Sequence, residues 1–296
     1  MSLADALFPD ALFLALSLLF VGCAARQSQV RPVPPFAAVV GPVVIAHRGG
    51  SLEAPENTVA SLSHAVVAGA DWQECDVTLT KDEHVVVIHD DTLERTTNGQ
   101  GKVAAKTLAE LRALDASRPK PAELTRTRLA ERGIEPPDFG ARFAGAKIPT
   151  FDEVLSIPGR RLMIELKRSD RGPLLVRKVA EGLRQADFTA VMVASFDDQL
   201  LFELHNVEPA LPLLGLAADD ASIERMLMLP ISVLGVRADL AAAALKTAPA
   251  GVAVWAWTIY DAKTAVELAE LGVHGIITDA PTSVLAALRQ DPADAP

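Results

Sequence analysis

Glu74 and Asp76 stand two residues apart in the stretch Trp-Gln-Glu-Cys-Asp-Val-Thr-Leu-Thr-Lys-Asp-Glu-His-Val-Val-Val-Ile-His-Asp, residues 72 to 90, which reads as two strands. Residues two apart on a strand point to the same side. The two carboxylates therefore share a side, and Cys75 faces the other way. Neighbouring carboxylates repel unless positive charge lies between them. A hard divalent cation with oxygen ligands is the simplest occupant. His89 follows an apolar run and emerges where the second strand should end, a useful place for a catalytic imidazole. Met163-Ile164-Glu165-Leu166-Lys167 is a second such case. A charged residue within an apolar strand is costly unless it is paired. Glu165 and Lys167 share one face, so that face must hold something charged.

These residues need a frame that brings them together. From residue 43 onward short apolar runs alternate with helical patterns. Val43–Ala46 predicts the first strand and ends at His47-Arg48-Gly49-Gly50. Pro55-Glu56-Asn57-Thr58 opens a helix through about Ala68. Further strands are predicted at 161–166, 190–195, 213–216, 233–236, 252–259 and 275–278. Helices are predicted at 173–186, 197–206, 221–228, 239–246, 261–271 and 281–289, and Gly272 has the look of a helix C-cap. Strands alternating with helices mean a parallel sheet with crossovers. About eight such units favour a closed (β/α)8 TIM barrel, with an insertion at about 91–149 after the second strand unit. The missing Gly-x-Gly-x-x-Gly after the first strand removes support for a dinucleotide fold. In such a barrel the C-terminal strand ends carry the active site. Those ends gather His47 and Arg48, Glu74 and Asp76, His89, Glu165 and Lys167, Trp257 and Thr258, and Thr278 and Asp279.

Composition sets the bounds. The chain has 296 residues, half of them hydrophobic, enough for one large barrel or two ordinary domains. A formal charge of −10 argues against nucleic acid as a partner. Residues 11–22 form an apolar block, too short to span a membrane and suited to the core of an export signal. Phe20-Val21-Gly22-Cys23 resembles a bacterial lipobox. The leader departs from the usual pattern in carrying Asp5 and Asp10 and no basic residue before the block. The expected organisation is an export signal of the lipoprotein type at 1–22, a tether at 23–42, the barrel at 43–290 and a tail at 291–296. The expected location is the cell envelope of a bacterium, lipid-anchored on the periplasmic or extracellular side. The alternatives are an uncleaved anchor or a cytoplasmic protein. With Cys23 lipidated, Cys75 has no partner and packs as a small hydrophobe outside the barrel.

Seven segments carry a resemblance. Ala-His-Arg-Gly-Gly, Ala-Pro-Glu-Asn-Thr, Glu-x-Asp-Val-x-x-Thr-Lys-Asp, Val-Ile-His-Asp-Asp-Thr-Leu-x-Arg-Thr-Thr, Ile-Pro-Thr-Phe-Asp-Glu-Val-Leu, Ile-Glu-Leu-Lys and Gly-Ile-Ile-Thr-Asp follow one another between about residues 43 and 288. In this order they resemble the glycerophosphodiester phosphodiesterase family. The resemblance implies a TIM barrel holding one divalent cation, Mg2+ or Ca2+, that hydrolyses glycerophosphodiesters to glycerol 3-phosphate and an alcohol. It implies Glu74, Asp76 and Glu165 as metal ligands and His47 and His89 as the catalytic pair. Glu56 is expected near the site, orienting a histidine or a water at the metal. Arg48 and Lys167 match positions that contact the phosphate or glyceryl end, and Trp257 is expected as a wall of the substrate pocket. Two departures bear on the pocket. Tyr260 stands where Asn is frequent, and residues 117–147 are longer than the loop expected before Ile-Pro-Thr.

Blander readings stand beside these. A lone histidine is more often structural, and His64, His84, His205 and His274 are left in that class. Trp255 and Trp257 both suit a barrel core. Two further functions compete: a lysophospholipase D-like enzyme acting on membrane lysolipids, and a catalytically dead, lipid-anchored binding protein. Decay to the second usually removes a histidine or a metal carboxylate first, and all five are present.

Overall fold

The structure, a computed structural model, describes residues 41–289 apart from 118–119, 121–122, 140 and 185–189. The expected export signal, Cys23, nearly all of the tether and the tail lie outside the described residues. Eight parallel strands close on themselves: β1 (Val43–Ala46), β2 (Trp72–Leu79), β4 (Leu162–Leu166), β5 (Val191–Ser195), β6 (Leu213–Ala217), β7 (Val233–Arg237), β8 (Ala253–Ile259) and β9 (Gly275–Thr278). The ring closes because β1 pairs with both β9 and β2. The short β3 (Val85–Val87) lies antiparallel on β2, so the pair read from residues 72–90 is one barrel strand and one appended strand. Helices α1 (Val59–Ala68), α5 (Gly172–Leu183), α6 (Asp198–Val207), α7 (Asp220–Leu227), α8 (Ala241–Thr247), α9 (Ala262–Leu271) and α10 (Pro281–Leu288) form the outer layer. The short α4 (Phe151–Leu155) precedes β4, and α2 (Leu108–Ala113) and α3 (Glu123–Glu131) belong to the insertion.

Strand alternation sorts the side chains into two cores. Val43, Ile45, Trp72, Met163, Met192, Ala194, Leu214, Leu216, Val233, Trp255 and Ile277 fill the barrel interior. Val44, Cys75, Ile164, Val193 and Val254 face outward into the helix layer with Leu62 and Val179. Cys75 is buried there as a small hydrophobe. The inward set decides what the barrel presents at its top. Counting in twos from Ile45, Trp72, Met163, Ala194, Trp255 and Ile277 reaches His47, Glu74 and Asp76, Glu165, Phe196, Trp257 and Asp279. Each polar member of this series continues an apolar column toward the strand's C-terminal end.

Most helix starts are fixed locally. Thr58, Thr150 and Asp219 cap α1, α4 and α7 through capping boxes with the residue three positions on. Gly272 ends α9 with φ 95°, in the left-handed conformation that glycine adopts freely.

The insertion leaves and re-enters beside β3. Val87 N donates to Pro149 O at 2.9 Å, and Val86 bridges to Thr150. It holds a small core of its own: Val86, Ile88, Leu93, Val103, Leu111, Ala116 and Ile148. One element there went unforeseen. The Pro- and Arg-rich segment 117–147 contains α3, which has no apolar stripe to announce it and buries Leu129 as its anchor. Just past α3, Arg132 donates to Asp261 Oδ2 at 3.1 Å and lies over the Tyr260 ring. The insertion therefore rests on the loop after β8, at the same end of the barrel as the carboxylates.

Candidate active site

β2 and β4 pair in register, with Asp76 opposite Glu165 and Glu74 opposite Met163. That register brings three carboxylates together. One oxygen from each of Glu74, Asp76 and Glu165 lies within 4.8 Å of the others, and all three residues are buried. Burial, and then the charges of Asp76 and Glu165, push the Glu74 carboxyl well above the usual carboxylate range. Its Oε1 is buried with no hydrogen-bond donor. An orphaned acceptor inside a cluster of hard oxygen ligands fits a divalent cation.

The segment Pro55-Glu56-Asn57-Thr58 organises one side of this cluster. Asn57 Nδ2 donates to Asp76 Oδ2 at 2.7 Å, and Asn57 Oδ1 accepts from Asp76 N at 3.1 Å. Asn57 does this from φ 57°, a conformation that Asn tolerates better than most residues. Thr58 caps α1 and donates to Pro55 O. Arg48 has φ 53°, and the turn aims its backbone N–H at Glu74 Oε2, 2.6 Å away. Gly49, at φ 80°, packs so closely on α1 that a Cβ would sit 2.5 Å from Ser61 Oγ. The left-handed turn and the close approach are both met by Arg-Gly-Gly after His47.

Each of the two predicted catalytic histidines meets a carboxylate. His47 Nδ1 is 2.5 Å from Asp279 Oδ1, and its Nε2 is 4.0 Å from Glu74 Oε2. His89 Nδ1 is 2.6 Å from Asp90 Oδ1. A carboxylate on Nδ1 favours the tautomer with its proton there and leaves Nε2 to act on substrate. His47, His89, Arg48, Glu74 and Glu165 line one cavity of about 120 Å³, walled by Met163, Phe196, Leu216, Trp257, Thr258 and Ile277. Trp257 Nε1 donates to Gly235 O at 3.2 Å, and its ring meets Phe196 edge-on at 5.3 Å.

The cations are engaged with the acids. Lys167 Nζ donates to Glu165 Oε1 at 2.7 Å and lies 3.4 Å from Asp76 Oδ1. Burial works to lower the Lys167 pKa, but Asp76 and Glu165 hold it above the ordinary lysine value. Asp76 is likewise held far below its ordinary value: burial acts against this, and Lys167, His89 and Arg48 outweigh it.

Glu56 lies beside the site as expected but pairs with arginines rather than with a histidine. Its partners are Arg48 NH1 at 2.8 Å and the Arg95 guanidinium; it hydrogen-bonds no histidine. Two guanidinium groups engage both of its oxygens. Burial acts to raise its pKa, but the Arg48 charge and the Arg95 hydrogen bond prevail and lower it to about 2. Four residues of the arrangement carried no role in the sequence reading: Asn57, Asp90, Arg95 and Phe196. Asp279 was placed at its strand end without a partner. Asn57, Asp90 and Arg95 all lie within the motifs quoted above, which was the available signal.

The sequence matches the Glycerophosphoryl diester phosphodiesterase family over residues 47–283. A glycerophosphodiester phosphodiesterase of Caldanaerobacter subterraneus subsp. tengcongensis is 34% identical over 261 residues, covering 84% of this chain and 98% of the relative. A phosphodiesterase of Oleispira antarctica, solved with the product sn-glycerol-3-phosphate, superposes with a TM-score of 0.71 at 29% identity, covering 84% of this chain and 98% of that one. The glycerophosphodiester phosphodiesterase of Agrobacterium tumefaciens gives a TM-score of 0.65 at 27% identity, covering 83% and 99%. A match running from the first site histidine to the last barrel helix, on a closed eight-stranded barrel, means that this chain belongs to the glycerophosphoryl diester phosphodiesterase family.

Proposed function

We propose that this protein hydrolyses glycerophosphodiesters to sn-glycerol 3-phosphate and an alcohol, with His47 and His89 as its acid–base pair. Family membership gives the reaction class, phosphoric diester hydrolysis. One observation carries the rest: two imidazoles, each backed by a carboxylate, line one cavity with Glu74 and Glu165, two members of a cluster of three buried acids.

The substrate is an anion, and its transition state carries more charge on the nonbridging oxygens. Glu74, Asp76 and Glu165 would hold one divalent cation, Mg2+ or Ca2+, which supplies positive charge where that charge develops. Arg48 and Lys167 add fixed positive charge beside the same carboxylates. Nε2 of one histidine takes the proton of the attacking hydroxyl, from water or from the substrate's own glyceryl 2-hydroxyl; in the second case a cyclic phosphate forms first, and water then opens it to give glycerol 3-phosphate. Nε2 of the other gives a proton to the departing alkoxide as the phosphorus–oxygen bond breaks. One imidazole must start neutral and the other charged. Asp279 and Asp90 fix the ring planes and stabilise whichever imidazolium forms.

The test is a panel of glycerophosphodiesters and lysophospholipids assayed with and without EDTA. Rapid, cation-dependent release of glycerol 3-phosphate from the diesters is the expected result. Phe196, 41% exposed beside Trp257, supplies an apolar edge that favours the lysophospholipase D-like alternative. Preferential turnover of lysolipids would establish that alternative.

A membrane anchor is a separate proposal resting on the leader sequence. The apolar block at 11–22 followed by Cys23 supports a mature chain that begins at lipidated Cys23, held at the outer side of the cytoplasmic membrane. Mass spectrometry of the native protein is expected to find diacylglyceryl-modified Cys23 at the N-terminus. An intact Met1 would refute it.

A further inference from the structure

Arg95 lies outside the cavity lining, yet its guanidinium is shared between two carboxylates, Asp90 and Glu56. Its Nε donates to Asp90 Oδ2 at 2.6 Å and its NH2 to Asp90 Oδ1 at 2.9 Å. The other edge of the same fork grips Glu56, through NH2 to Oε1 at 2.8 Å and through NH1 to Oε2. Asp90 in turn holds His89 Nδ1, and Glu56 holds Arg48, whose backbone N–H meets Glu74. Within the insertion Arg95 also holds Lys120: its carbonyl accepts from Lys120 N at 2.8 Å, and NH1 donates to Lys120 O at 3.2 Å. A planar guanidinium can serve two carboxylates in fixed geometry; an ammonium cannot.

Asp90 stands at a cavity edge, and its side chain is held there by the Arg95 guanidinium on one side and His89 on the other. Asp90 and Arg95 shift one another accordingly. Burial opposes ionisation of Asp90, but the His89 and Arg95 hydrogen bonds hold it far below its ordinary value, so it stays an acceptor. We infer that Arg95 is the positioning residue of His89: it locks the Asp90 carboxylate against His89 Nδ1 and ties that dyad to Glu56 on the metal side of the site. The inference rests on the reading of His89 as an acid–base group. Arg95 does not line the site cavity; it acts through Asp90.

The test uses the full chain with saturating divalent cation and glycerophosphocholine as substrate. Arg95→Met and Asp90→Asn should each lower kcat about 10–100-fold, as loss of an orienting partner does, and KM should change less than about threefold. The Asp90→Asn/Arg95→Met double variant should be no more than about threefold worse than the weaker single, because both act on one link. Guanidinium chloride at tens of millimolar should recover part of the kcat of Arg95→Ala. Arg95→Lys should recover only part of it. Circular dichroism and cation titration keep loss of folding or of metal apart from loss of positioning. Asp90→Asn does not remove the Arg95–Glu56 pair, so it keeps the question open to test if the Arg95 variants fail to fold. Wild-type kcat in Asp90→Asn or Arg95→Met, or a loss carried by KM alone, overturns the inference. His89→Ala runs alongside: if it keeps wild-type turnover, the acid–base reading itself fails, whereas loss in His89→Ala with none in Asp90→Asn sinks only the role given to Arg95.

Discussion

Excess EDTA abolishes turnover, and Mg2+ or Ca2+ restores it. This is the expected result because the acids at the barrel mouth are overcommitted without a cation. Two unit charges at 4 Å repel by about 4 kcal/mol at an effective dielectric of about 20; with Glu74, Asp76 and Glu165 within 4.8 Å of one another, burial and that added repulsion push the Glu74 carboxyl toward its neutral form when no cation is bound. Lys167 and Arg48 offset the charge of Asp76, and Lys167 that of Glu165. Glu74 accepts one hydrogen bond, from the Arg48 backbone N–H, has His47 Nε2 4.0 Å from Oε2, and leaves Oε1 orphaned. A ligand that binds only the folded state at about a hundred times its Kd stabilises by about 2.7 kcal/mol. The cation should therefore raise the melting temperature as well as the rate. Asp76→Asn should lose most of that thermal shift together with most activity. Full turnover in an exhaustively chelated sample, or a melting temperature indifferent to added cation, counts against a metal site.

The barrel and its carboxylates were legible because both follow from a period of two. Apolar columns along β2 and β4 run without interruption into Glu74, Asp76 and Glu165, and a charge in such a column marks a site. The alternation of strands and helices announced the parallel sheet before any contact was known. What stayed hidden depends on closure. His47 and Asp279 are 232 residues apart and meet only because β1 and β9 are neighbours in the ring. Glu56 shows the limit of a motif: the resemblance put a carboxylate near the site, but only the fold reveals that the guanidiniums of Arg48 and Arg95 both engage it. Helix α3 was missed for a different reason. Its sequence is mostly polar and charged with no apolar stripe, so no apolar period exists to be read.

His47→Ala and His89→Ala each lower kcat by at least about a hundredfold, within the 10²–10⁴-fold range of general acid–base groups. In-line displacement at phosphorus needs one group to take a proton from the nucleophile and another to give one to the leaving oxygen, and these two stand on opposite sides. A single cation cannot fill both places. His47 and His89 come from the ends of β1 and of the segment after β3, each with Nδ1 engaged by its own carboxylate. Neither is held by the other, so each loss should be complete in itself. The double variant should nonetheless be far less damaged than the product of the singles, because losing one partner idles the other. Cation binding and folding should stay close to wild type, since the carboxylate cluster of Glu74, Asp76 and Glu165 contains neither histidine. The leaving group then separates the roles. p-Nitrophenolate departs with little need of a proton, so a p-nitrophenyl diester should restore much of the rate to the variant lacking the acid. It should leave the variant lacking the base impaired. Both variants are to be assayed on the natural diester and on that analogue at saturating cation. Wild-type kcat for either variant on the natural diester rules out the two-histidine mechanism for this protein. Equal rescue of both by the analogue would remove the division of labour between them.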